Sequence, residues 1–211
     1  IGSEILKIAA EVNQKIKRGE KVYNLTVGDF DPKIFPIPDD LKSEIVNQIL
    51  NDQTNYPPSE GVLELRESVC SLLKERGELD YSTDEVLIAG GARPIIYSIF
   101  RAIVDAGDKV FFATPSWNNN HYTYLNQAQQ VIVETTPENN FLPTADDIKP
   151  HISELSLIAL CSPQNPTGTT FTKDSLLEIC DLIIEENKRR GDSKPVYLMY
   201  DQIYWELTLG K

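Results

Sequence analysis

Asp201 stands at the end of an almost wholly apolar run, 196–200, which follows Gly191 and Pro195 and reads as a buried parallel strand. A carboxylate in that position loses much of its water and calls for a cation or a strong donor. Tyr204 follows three residues later. Three further apolar runs end in equally unusual residues. After 86–89 comes Gly90-Gly-Ala-Arg-Pro94, where the N–H groups of Gly91, Ala92 and Arg93, with a helix dipole behind them, could cradle a phosphate. After 109–113 comes Thr114-Pro-Ser-Trp117, whose indole could stack on a flat ring. After 157–160 comes Cys161-Ser-Pro-Gln-Asn-Pro-Thr-Gly168, in which two prolines and a glycine fix the Asn165 amide in space. Each feature also has a plainer reading: Asp201 as a helix cap or turn, Gly-Gly as a tight turn, Trp117 as core, the prolines as loop punctuation. Cys161 with a distant histidine is a weaker nucleophile candidate, since nothing nearby would lower its pKa.

The elements that must hold these residues follow from periodicity. Apolar positions at helical spacing predict helices over 5–17, from Asp39 or Asp40 onward with Leu41, Ile45, Val46 and Ile49 inward, and from Val62 to a stop at Gly77. The run 22–27 reads as a strand leading into a Pro-rich loop that ends near Pro38. From residue 86 the pattern changes. Strand-like runs at 86–89, 109–113, 131–134, 157–160 and 196–200 alternate with helical patterns at about 92–104, 117–128, 145–152 and 173–189. That alternation predicts an α/β fold, a mainly parallel sheet with helices on both faces. Thr144 with Asp147 forms a capping-box variant, Thr172 can cap the last long helix, and Gly191 ends it.

Composition narrows the function classes. A net charge of -12 repels phosphate backbones, and no Lys/Arg cluster with interleaved aromatics offsets it, so nucleic acid is not an expected partner. The apolar runs fall short of the roughly 20 residues of a membrane helix, and the N-terminus lacks a signal-peptide pattern, which leads us to expect a cytoplasmic protein. His121 and His151, with three scattered cysteines, suggest neither a metal site nor disulfides.

In open parallel sheets, ligands bind outside the carboxyl ends of the strands. A phosphate cradle, an aromatic plate, a fixed amide, a carboxylate and a phenol on one rim describe a site for a flat, phosphorylated heteroaromatic cofactor with a protonatable ring nitrogen. The residues Ser162-Pro-Gln-Asn-Pro-Thr-Gly168, Tyr200-Asp-Gln-Ile-Tyr204, Ala89-Gly-Gly-Ala92 and Asn55-Tyr-Pro-Pro-Ser-Glu-Gly61 resemble the class I/II aminotransferases, fold-type I pyridoxal-phosphate enzymes. Thr114-Pro-Ser-Trp117 looks closest to their aspartate aminotransferase branch. The resemblance implies pyridoxal 5'-phosphate as cofactor, Asp201 on the pyridine nitrogen, and Asn165 and Tyr204 on the phenolic oxygen. It implies Trp117 on the ring face, with Gly91, Ala92 and Arg93 on the phosphate. Tyr56 would reach the phosphate of a neighbouring subunit in a homodimer, and Gly28 would lie near the substrate carboxylate. The peptides before Pro166 and Pro115 would be cis. Residues 1–50 would form the N-terminal arm and part of a small domain, and 51–211 an incomplete cofactor-binding large domain.

The same resemblance implies a Schiff-base lysine on a Ser-x-x-Lys segment after the Asp-x-x-Tyr. Lys194 lies upstream and Lys211 has no such motif before it. The expectation is therefore an N-terminal fragment, inactive alone and prone to pair through an uncovered edge, of a parent that moves an amino group between an L-amino acid and a 2-oxo acid. Another enzyme on the same cofactor (a carbon-sulfur lyase or a decarboxylating synthase) and a non-catalytic binding or dimerisation module remain alternatives. A nucleotide-binding domain is disfavoured by the missing Gly-x-Gly-x-x-Gly. Asp29 and Asp31 would disfavour a second substrate carboxylate if they faced the pocket, and the sequence does not choose the amino acid.

Overall fold

Helix α1 (Glu4–Lys17) forms where the apolar spacing puts it, and α2 (Asp39–Leu50) begins with two acids in its first turn, where they complement the helix dipole. The computed structural model describes residues 4–26, 28 and 30–208. Val27, Asp29 and Lys211, which enter the expectations above, lie outside them. The chain divides into units Ile1–Pro58 and Ser59–Lys211. In the first, the cap of α2 is Pro38, with no side-chain capping bond, rather than Asp39 or Asp40. Its expected inward residues are not buried: Leu41 is 52% exposed and Ile49 59%. A helical apolar stripe needs a partner surface, and among the described residues of this unit none buries it. Residues 22–26 form no strand.

The second unit opens with α3 (Leu63–Gly77), which closes on Glu78 in the left-handed conformation rather than on Gly77 itself. It continues through α4 (Ala92–Ile103), β1 (Lys109–Thr114), α5 (Asn119–Leu125), β2 (Gln129–Glu134), α6 (Ala145–Ile148), β3 (Leu155–Cys161), α7 (Lys173–Arg190) and β4 (Tyr197–Asp201). The four strands form one parallel sheet in the order β2-β1-β3-β4. Residues 86–89, expected to be a strand, have no ladder: Val86 N–H donates to the Thr83 carbonyl at 3.3 Å in a local turn, and Ile88 N–H to the Glu60 carbonyl at 2.9 Å. A strand is a pairing, and an apolar run without a neighbour does not make one.

Period-2 alternation sorts the strand residues to two faces. Phe111, Ile158 and Leu160 pack with Ile148, Ile179 and Ile183 from α6 and α7. Val110, Phe112, Leu157 and Ala159 pack with Phe100 and Tyr122 from α4 and α5. The sheet is thus covered on both faces, as the near-continuous apolar strands require. Two helices are shorter than their patterns. Asn118, left-handed at φ 57°, starts α5 only after Trp117 and leaves the indole on a loop. Pro150 stops α6, and the chain proceeds through a tight turn at Ile152–Glu154. Thr144 and Asp147 make the expected capping box, Thr172 caps α7 by accepting from Ser175 N–H, and Gly191 closes α7. Just before β4, the Asn187 amide donates to the Val196 carbonyl at 3.0 Å and accepts from its N–H at 2.7 Å, fixing where that strand starts.

Candidate active site

The strand order reverses between β1 and β3, so the connections leaving their carboxyl ends run to opposite sides and a crevice opens between them. The ladder joining these two strands ends at Phe111 and Ile158. By contrast, β1 stays paired with β2 as far as Thr114 and Glu134, and β3 with β4 as far as Cys161 and Asp201. The cleft at this point has an empty volume of about 810 Å³ with its solvent-open part included.

Ala92, Arg93, Trp117, Asn165, Asp201 and Tyr204 all line this one cleft. The Asn165 amide donates to the Tyr204 hydroxyl at 2.9 Å, a bond between residues 39 apart in the chain. Asp201 keeps part of its plainer role, since Oδ1 accepts from Ile203 N–H at 3.0 Å in a local turn. Its other carboxylate oxygen has no partner among the described residues, and the Asp201 carbonyl accepts from Ser162 N–H at 2.9 Å. That bond ties the carboxylate-bearing strand to the Asn165 turn. The Arg93 guanidinium lies over the Trp117 ring, 5.7 Å from its centroid.

The phosphate cradle is narrower than its sequence. Gly91 has φ 117°, a conformation that favours glycine, and its N–H is committed to the Ala89 carbonyl at 2.8 Å. Gly91 therefore makes the turn. The N–H groups of Ala92 and Arg93, first in α4, have no acceptor among the described residues, as helix geometry dictates. The peptides before Pro115 and Pro166 are cis, and so is the one before Pro163. Gly28 and Tyr56 belong to the first unit, and Tyr56 is fully exposed.

The cleft also draws on residues the motifs did not mark. Phe171 and Pro143 come from loops whose approach no local pattern signals, whereas Gln164 sits inside the Asn165 turn and was legible as a neighbour. Cys161 lines the cleft, but burial, reinforced by the Asp201 charge, pushes its thiol up to about 11. It is thus protonated near neutrality and is not an activated nucleophile. At pH 8, alkylation of Cys161 by iodoacetamide is expected to run about 100-fold slower than that of an ordinary exposed thiol, as read by peptide mass spectrometry.

The residue types fit a flat phosphorylated pyridine: a half-free carboxylate for a ring nitrogen, an amide and phenol already paired with each other, an indole, and unpartnered N–H groups at a helix start. Comparisons with known proteins agree. The family model described as aminotransferase class I and II matches residues 20–211. An aspartate aminotransferase of Thermotoga maritima is 28% identical across 98% of this chain and 52% of its own length. A probable aspartate/prephenate aminotransferase of Aquifex aeolicus is 29% identical across 99% of this chain and 50% of its own. Among solved structures, an aspartate aminotransferase from Thermus thermophilus with maleate superposes with a TM-score of 0.87 at 26% identity, covering 100% of this chain and 53% of that one. The chain spans about half the length of the relatives it matches. On the family match, the fold and the cleft together, the chain belongs to the class I and II aminotransferases.

Proposed function

We propose that this chain is the cofactor-binding part of an enzyme that transfers an amino group between an L-amino acid and a 2-oxo acid. Pyridoxal 5'-phosphate is the cofactor of the family; when bound, it supplies an electron-accepting ring that stabilises charge at the substrate Cα. Asp201 holds the proton on the ring nitrogen, Asn165 and Tyr204 hold the phenolic oxygen, and Trp117 covers the ring face and excludes water. Ala92 and Arg93 donate their N–H groups to the phosphate, with Gly91 shaping the turn. The observation that carries this reading is the Asn165–Tyr204 bond in the same cleft as the half-free Asp201 carboxylate. No lysine is among the described residues lining the cleft, so the roles assigned to these residues are binding, orienting and proton holding.

The proposal extends to the assembly. The exposed Tyr56 is available to a neighbouring subunit's phosphate, which makes the working unit a homodimer, and Gly28 contributes near the substrate carboxylate. Residues 1–50 serve as the N-terminal arm with part of the small domain, and 51–211 as the cofactor-binding domain. We place the protein in cytoplasmic amino-acid biosynthesis; no helix among the described residues is long and apolar enough to cross a membrane.

The test is turnover by the full-length protein with pyridoxal phosphate, aspartate or alanine as donor, and 2-oxoglutarate or prephenate as acceptor. Amino transfer, read as the new amino acid formed, is the expected result. In parallel reactions given cysteine, or an amino acid with an acyl thioester, release of sulfide or carbon dioxide without amino transfer would identify instead a carbon-sulfur lyase or a decarboxylating synthase. Reversible cofactor binding with no turnover of any kind would identify a binding module.

A further inference from the structure

The cleft has two halves, and the sheet does not join them. Trp117 follows β1, which remains paired only with β2 at this height, while Asn165, Asp201 and Tyr204 follow β3 and β4. Between loop 115–118 and turn 162–168 there is one hydrogen bond among the described residues, from Gln164 Nε2 to the Pro115 carbonyl at 2.6 Å. Gln164 is only 6% exposed. Its own backbone is pinned on both sides, donating to the Thr169 carbonyl at 2.8 Å and accepting from Gly168 N–H at 2.7 Å. A buried amide anchored at its base and bonded at its tip transmits the position of one loop to the other.

We propose that Gln164 is a positioning residue that sets the spacing between the Trp117 plate and the Asn165–Tyr204–Asp201 group, and so the width of the slot for a flat ring. That the slot receives the cofactor ring rests on the function proposed above; that Gln164 couples the two loops does not.

The experiment uses a Trp205→Phe background, which leaves Trp117 as the sole indole because the chain has two tryptophans. Acrylamide quenching of Trp117 is measured without ligand, and affinity is measured for pyridoxamine 5'-phosphate, which lacks the aldehyde that would react with surface lysines. Gln164→Leu is expected to raise the quenching constant about twofold and to weaken affinity about tenfold, the scale of losing one buried hydrogen bond. Gln164→Glu is expected to show the same defect at pH 8, where a carboxylate cannot donate to the Pro115 carbonyl. Near pH 5 its quenching should return toward that of the unsubstituted background at the same pH, because a carboxyl in this buried position is protonated and donates again. Gln164→Leu should not recover. If Gln164→Leu fails to fold, as judged by circular dichroism, the reversible pH response of Gln164→Glu decides the matter.

Unchanged Trp117 accessibility in Gln164→Leu, or a Gln164→Glu variant that matches the background at pH 8 or fails to recover at pH 5, would overturn the proposal. If the unsubstituted background binds no pyridoxamine phosphate, the cofactor reading fails while the ligand-free quenching still decides the role of Gln164.

Discussion

Replacing Asp201 with asparagine is expected to weaken pyridoxamine phosphate binding by about 10- to 100-fold, the equivalent of a charge-assisted hydrogen bond worth roughly 1.5–3 kcal/mol. Asparagine keeps the side-chain oxygen that accepts from Ile203 N–H, so the turn after β4 survives and only the charge is removed. The loss therefore reports on the ring nitrogen. Asp201→Ala removes both functions and should bind no better than the asparagine variant while also lowering stability. Isothermal titration of the three chains checks this, and equal affinity in Asp201→Asn would show that the carboxylate serves the turn alone.

The second large effect lies away from the cleft. Glu186 is 6% exposed on α7, where it accepts from Arg189 at 2.7 and 2.8 Å and from Arg190 Nε at 2.8 Å. Arg190 in turn donates to the Ile152 and Leu155 carbonyls at 2.9 Å and to the Lys194 carbonyl at 2.8 Å. The guanidinium thus closes carbonyls at the amino end of β3 and in the turn before β4, and Glu186 is its counter-charge. Glu186→Leu should cost about 3 kcal/mol, at the low end for breaking a buried pair because Arg189 itself is exposed.

The pH dependence has a definite sign. The hydrogen bond from Arg189, with help from Arg190, draws the Glu186 pKa down to about 2, below the ordinary glutamate value of about 4.3. The stabilisation is therefore complete above that ordinary value and is lost as pH falls toward 2. Urea midpoints should differ clearly between the unsubstituted and Glu186→Leu chains at pH 7, and the gap should shrink by pH 2.5. Coincident midpoints at pH 7 would show that the cluster contributes nothing.

The sheet was legible because parallel strands buried on both faces leave continuous apolar runs, and four of the five expected in the alternating region are present. The fifth, 86–89, is equally apolar but has no strand partner among the described residues, and pairing is a property of two segments that no single run encodes. Helix lengths failed where one residue overruled periodicity, as Asn118 and Pro150 did. The inward face assigned to α2 failed because the pattern shows which side is apolar and not whether anything covers it.

In the site, Asp201, Asn165, Tyr204 and Trp117 could be picked out because each follows the carboxyl end of a recognisable strand, and a parallel sheet brings those ends to one rim. Two details could not be read that way. The commitment of the Gly91 N–H to Ala89 depends on one local backbone conformation that Gly-Gly permits without requiring, and the reach of Gln164 to Pro115 depends on where two loops lie in space.

The account stands on the claim that these scattered side chains surround one planar ring. A crystal structure of the chain grown with pyridoxamine 5'-phosphate tests it most directly. The account predicts the pyridine nitrogen against the Asp201 carboxylate, the phenolic oxygen against Asn165 and Tyr204, the indole of Trp117 on the ring face, and the phosphate at the start of α4. A ligand bound elsewhere, or lying in the cleft with its ring nitrogen turned away from Asp201, would contradict it.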